Sequence, residues 1–299
     1  MNTPDQRTGA GAGGESSRLG TGLNNFTLRV VSAAVLAPVV LVCVYVGGWV
    51  FFLLCGAAAA AVLWEWTGLV TGSADTRVLW PGLAALFAAL VLIGIDQPGA
   101  ATGTVVIGSM LAGGLVLIWP RRLPARNPPF WAASGIIYSG IIFLAPALIR
   151  RDPALGLTAV LFIVASVWAT DIFAYIAGRS IGGPLLWPNV SPNKTWAGAV
   201  GGLIGGVAAA TTVAYASGIT KFAAVGLVAL VLSVLTQAGD LLESAIKRRF
   251  GAKDTGRLIP GHGGLMDRLD GFVVAALAAV LIGILRQGME APAQGLLVW

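Results

Sequence analysis

Ionisable groups are the scarcest component of this chain. Only 11% of its 299 residues are charged, and His262 is the single histidine. An ordinary soluble domain carries about 25% charged residues, so a water-facing fold of the usual kind is excluded. One histidine rules out a metal site built on several imidazoles. Cysteine is equally sparse, with Cys43 and Cys55 both inside apolar runs. That excludes a disulfide framework and a thiolate metal centre, and leaves the two thiols as small hydrophobes. What fills the chain is apolar: 57% of the residues are hydrophobic, the composition of a polytopic membrane protein.

A helix needs about 20 mostly apolar residues to span a bilayer. Nine stretches qualify, near 30–47, 49–70, 78–95, 101–119, 130–149, 155–177, 196–218, 222–243 and 270–287. The expected fold is therefore all-α, with about nine transmembrane helices and a polar cavity facing the cytoplasm. Residues 1–26 are rich in Gly, Thr, Ser and Asn and read as a disordered cytoplasmic tail. Residues 27–150 read as N-terminal transmembrane helices, and 151–299 as a C-terminal catalytic region with a polar loop at 244–270. With nine spans and a cytoplasmic N-terminus, fifteen of the 19 Lys and Arg residues fall in inside segments and four outside. This positive-inside bias places the 178–195 and 244–269 segments in the cytoplasm. The basic residues are spread along membrane edges without a recognisable binding module, which argues against a nucleic-acid partner.

Polar residues cluster in the C-terminal half. Asp171 and Tyr175 lie i,i+4 on one helix face. Ser191-Pro192-Asn193-Lys194-Thr195 reads as a turn in which Asn193 or Thr195 caps the following helix, putting Lys194 near a helix N-terminus where anions bind. Asp240, Glu243 and Ser244 share a spacing of i, i+3, i+4 at the end of an apolar helix. Asp267 and Asp270 repeat the i,i+3 spacing at the start of the next. Carboxylates at facing helix ends suit magnesium, which takes one or two of them together with substrate phosphates. Lys247, Arg248, Arg249, Lys253 and Arg257 supply phosphate partners between them, and Gly261-His262-Gly263-Gly264 lets backbone approach an anion. Glu65, between Trp64 and Trp66, reads as an interfacial carboxylate among belt tryptophans or as one facing a polar cavity. Glycines over 198–206 read as a close helix crossing in lipid.

The run Ser244, Lys247, Arg248, Lys253, Asp254, Pro260, His262, Gly263, Gly264, Asp267, Arg268 and Asp270 resembles the signature of the phosphatidate cytidylyltransferases, or CDP-diacylglycerol synthases. Gly239-Asp240-Leu241, Asp171 with Tyr175 and Gly178, and Ser191-Pro192-x-Lys194-Thr195 are similar to further motifs of that family. The resemblance covers roughly residues 166–270. It departs at Ala197, where many members have Glu, so no carboxylate role is carried to that position. The resemblance implies transfer of the cytidylyl group of CTP to phosphatidic acid for phospholipid synthesis, in a multi-pass bacterial plasma-membrane enzyme working at the cytoplasmic face. It also implies Mg2+ or Mn2+, a second cation such as K+, and a homodimer among membrane lipids. Asp240 and Asp267 match the expected metal positions. Lys253 and Arg268 join them in the catalytic set, with Asp171, Ser191, Lys194, Thr195, Ser244, Lys247, Arg248, His262, Gly263, Gly264 and Asp270 expected at the substrates. Two other readings of the same residues are another lipid-phosphate transferase and a cation-coupled transporter.

Overall fold

Each expected span becomes a helix. The computed structural model describes residues 25–119, 129–256, 258 and 263–299, and of 25–33 the backbone only. Within them run α1 (Asn25–Val46), α2 (Gly48–Thr71), α3 (Thr76–Gly94), α4 (Pro98–Ile118), α5 (Pro129–Arg150), α6 (Gly156–Ile181), α7 (Trp196–Ala216), α8 (Phe222–Arg249), α9 (Met266–Gln287) and the short α10 (Pro292–Leu297). Eight of these, α2 to α9, are long and apolar enough to cross a membrane, and α1 adds a shorter apolar stretch, Ala34–Val46. Large apolar side chains such as Ile118 and Leu285 point outward, as a bundle solvated by lipid requires. The protein is an all-α polytopic membrane protein. The residues assigned to the tail, 1–24 of it at least, lie outside the described residues.

Two boundaries differ from expectation, and both shape the site. α8 continues to Arg249 and α9 begins at Met266, so much of 244–270 is helix rather than loop. The physical reason lies in Leu241 to Arg249, which contains no Gly or Pro and is rich in strong helix formers. Lys247, Arg248 and Arg249 fall in the last turn, where cations complement the helix dipole. The helix stops at Gly251, which takes the left-handed conformation with φ +70°.

A small antiparallel hairpin is the departure from helix among the described residues. β1 (Leu185–Trp187) pairs with β2 (Ser191–Thr195), with Leu185 opposite Thr195 and Trp187 opposite Ser191. It delivers Thr195 as the cap of α7, its hydroxyl oxygen accepting from Gly198 N at 3.1 Å. Of the two capping candidates it is therefore Thr195 that serves, and Asn193 stays exposed.

α6 and α7 cross closely because one side of the contact has no side chains. A Cβ on Gly198 would lie 2.8 Å from the Ala174 carbonyl oxygen, and one on Gly202 2.8 Å from that of Thr170. Small residues let backbones approach in this way in lipid. The α6–α8 contact is tied by the buried hydroxyls of Thr170 and Ser233, 2.7 Å apart. At the other end of the bundle Arg150 donates to the carbonyls of Val44 and Tyr45, closing the C-terminus of α1. Buried Asp152 accepts from Ala154 and Leu155 with one oxygen and from Gln294 N with the other, which docks α10.

Candidate active site

α8 and α9 run antiparallel, and their acidic residues meet in two layers. Gly239 touches the backbone of Asp270 and Gly271, which sets the register. In that register the i,i+3 pair Asp240 and Glu243 opposes the i,i+3 pair Asp270 and Asp267. Each layer then takes a lysine from a different place.

The outer layer is Glu243, Asp267 and Lys247. Lys247 Nζ lies 2.6 Å from Glu243 Oε2 and 2.9 Å from Asp267 Oδ1. Glu243 is 1% exposed and its two partners are half-buried, so this ion-pair trio is largely shielded from solvent. Breaking such a group by removing one partner strands the others in a medium that solvates them poorly. The second oxygen of Asp267 accepts from Gly264 N at 3.0 Å and Thr255 N at 3.2 Å. One carboxylate therefore ties α8 to both ends of the segment that joins it to α9.

The inner layer is Asp240, Asp270, Asp171 and Lys194. Lys194, from the hairpin, forms an ion pair with Asp240. Asp171 on α6 lies within electrostatic reach of Asp240, Lys194 and Arg268. Asp270 likewise feels Asp240, Asp171 and Lys194, and its Oδ1 accepts from Gly271 N at 2.8 Å. Asp171 and Arg268 are exposed and Asp240 and Asp270 half-buried, so this layer is open to ligands while the outer one is closed.

Among the described residues no three of the His, Cys, Asp and Glu side chains form a ready-made metal cage. The inner layer nevertheless offers the oxygen donors a hard cation takes, in carboxylates that can be joined by substrate phosphate and water. Asp240 belongs to that layer. Asp267 stands in the other, with one oxygen on Lys247 and the other on two backbone N–H groups, so the two expected metal residues have different partners here.

The remaining candidates divide. Ser191 and Thr195 lie on β2 beside Lys194, and Ser244 is half-buried on α8. Gly263 has φ +86°, a conformation open mainly to glycine, and Gly264 is buried against Thr255 and Glu65. Arg248 and Lys253 are exposed and make no ion pair with a described residue. His262 lies outside the described residues, as do Arg257 and Pro260.

Glu65 is the residue that sequence reasoning misplaced. Neither an interfacial nor a cavity-facing carboxylate, it is 5% exposed and accepts from Leu265 N at 2.9 Å and Met266 N at 2.8 Å. It thereby satisfies the orphan donors at the start of α9 from a helix two hundred residues away. Thr255 Oγ1 reaches it as well, at 3.5 Å. Trp66 beside it is buried rather than a belt residue: it donates to the Trp131 carbonyl at 2.9 Å and stacks on that indole. Trp131 in turn meets Phe250 edge-on and lies under Arg249. A carboxylate inside an apolar helix was the available signal, but its partners are backbone groups and leave no trace in residue identity.

Facing acidic helix ends, a lysine on a hairpin and glycines before α9 are groups suited to phosphorylated substrates at a membrane. The chain belongs to the cytidylyltransferase family, whose profile matches residues 27–285. It is 40% identical over 272 residues to the phosphatidate cytidylyltransferase of Brucella suis biovar 1 (strain 1330), covering 90% of this chain and 97% of that one. The phosphatidate cytidylyltransferase of Staphylococcus aureus (strain COL) is 31% identical over 251 residues, with 82% and 94% covered. That of Bacillus subtilis (strain 168) is 41% identical over a shorter 138 residues, 46% of this chain and 51% of that one. The first two alignments run through the N-terminal half, beyond the motifs at 166–270.

Proposed function

We infer that this enzyme is a nucleotidyltransferase that moves the cytidylyl group of CTP to phosphatidic acid, giving CDP-diacylglycerol and pyrophosphate for phospholipid synthesis. The observation that carries this reading is the near full-length match to phosphatidate cytidylyltransferases, supported by Lys247, Asp267 and Asp270 of the signature lying at the facing ends of α8 and α9. The family match favours it over another lipid-phosphate transferase or a transporter.

In the reaction a phosphate oxygen of phosphatidate attacks the α-phosphorus of CTP, and the bond from that phosphorus to the β-phosphate oxygen breaks. Pyrophosphate leaves with the bonding pair. The nucleophile is already anionic, so no strong general base is required, and the barrier is the approach of two anions and the charge on the leaving group. Preorganised cationic donors lower such a barrier. Lys194 and Arg268 are placed for it around the inner layer, and exposed Arg248 and Lys253 are available to the triphosphate. Lys247 serves differently, holding Glu243 and Asp267 so that the loop stays in register.

A divalent cation, Mg2+ or Mn2+, is proposed at Asp240 and the other inner carboxylates, where it would screen phosphate charge when bound. K+ as a second ion and a homodimeric assembly are proposed on the family resemblance. The positive-inside bias supports a cytoplasmic active site in a bacterial plasma membrane. The test is purified protein in proteoliposomes with CTP, phosphatidate and Mg2+. CDP-diacylglycerol and pyrophosphate should appear in equal amounts, and no CTP-dependent lipid product would overturn the reading.

A further inference from the structure

An apolar cavity of about 660 Å3 opens between α1, α2, α5, α6 and α9. Val40, Leu54, Ala58, Val164 and Phe272 are among its lining residues, and Arg268 is the one charged residue of the lining among the described residues. Arg268 also acts on the charge of Asp171 in the inner layer. One guanidinium thus stands where the apolar cavity meets the polar cluster.

Helix bundles normally close-pack to the density of organic crystals, so a gap of this size implies an occupant. An apolar cavity does not hold water, and the neighbouring solvent here is lipid hydrocarbon. At about 30 Å3 per water-sized group, the volume accommodates on the order of twenty methylene groups. That is the scale of a long acyl chain. The cavity ends at an Arg, whose planar fork suits the phosphate of an anionic lipid head.

Building on the activity inferred above, we propose that this cavity holds one acyl chain of phosphatidate, with the lipid phosphate at Arg268, and that its walls set acyl-chain preference. Bilayer hydrocarbon is as apolar as these walls, so entering the cavity gains little from hydrophobicity alone. Discrimination comes from fit, and Ala58 in the wall is a point where bulk would shorten the space.

Two measurements test this. The first uses the wild-type protein in proteoliposomes and a phosphatidate bearing a diazirine near the end of one acyl chain. Photolysis should label cavity residues such as Leu54 and Phe272. Excess phosphatidate should suppress that label, and phosphatidylcholine with the same chains should not. Label confined to outward residues such as Leu285, or equal suppression by both lipids, would overturn the proposal. The second compares kcat/KM for dipalmitoyl and dioctanoyl phosphatidate in the wild type and in Ala58→Phe. The long-to-short ratio should fall at least tenfold in the variant, and an unchanged ratio counts against the cavity. Wild-type protein that converts neither lipid refutes the activity instead, and the labelling then decides the cavity by itself, as it does if Ala58→Phe fails to fold.

Discussion

Glu65 Oε2 accepts a 2.8 Å hydrogen bond from the backbone N–H of Met266, 201 residues further along the chain. The same carboxylate takes Leu265 N, so α2 in the N-terminal half holds the start of the helix that carries Asp267, Arg268 and Asp270. The N-terminal half is therefore part of the construction of the site and not only membrane packing.

Glu65→Ala should leave the buried Met266 N–H and the half-buried Leu265 N–H without their acceptor, at about 1–3 kcal/mol for a buried group left unpaired. Turnover should fall roughly tenfold or more, as α9 loses its anchor. Glu65→Gln keeps one oxygen acceptor and should retain more activity than Glu65→Ala. Thermal unfolding in detergent and steady-state kinetics check both. Wild-type behaviour of Glu65→Ala would show that the cap does not position the site.

Asp240→Asn and Asp267→Asn should each nearly abolish turnover while the protein remains folded by circular dichroism and gel filtration. The structure gives them different reasons. Asp240 is the partner of Lys194 in the open layer, whereas Asp267 ties Lys247 to the loop. Raising Mg2+ should therefore recover some activity in Asp240→Asn and none in Asp267→Asn. Normal activity of either variant at ordinary Mg2+ excludes it from the site.

Arg268→Lys keeps the charge but loses the two-donor fork that grips phosphate. Formation of CDP-diacylglycerol should drop about tenfold or more at unchanged protein abundance, the scale of one lost charge-assisted hydrogen bond. Arg122→Lys, outside the signature, should match the wild type. Equal activity of the two variants would make Arg268 a membrane anchor.

The charge distribution predicts a cytoplasmic N-terminus and an outside C-terminus. In a background with Cys43 and Cys55 replaced by Ala, a cysteine introduced at Val298 should react with an impermeant maleimide added to intact cells. One introduced at Ala252, in the loop after α8, should react only after lysis. The opposite pattern would invert the topology.

Hydropathy alone determined the class of fold, because lipid demands that each spanning segment be an apolar helix and so writes the spans into local composition. The i,i+3 acidic pairs of α8 and α9 and the basic run between them were equally legible, since spacing on one helix is a local property. Which charges pair was not. Tertiary structure assigned Lys194 to Asp240 and Lys247 to Glu243 and Asp267, through a helix register that depends on Gly239 and Gly271 fitting together. It also turned Glu65 from an interfacial carboxylate into the cap of α9, because its partners are backbone N–H groups that every non-proline residue possesses. The cavity ending at Arg268 arises from five helices packed at once, a shape that no single segment encodes.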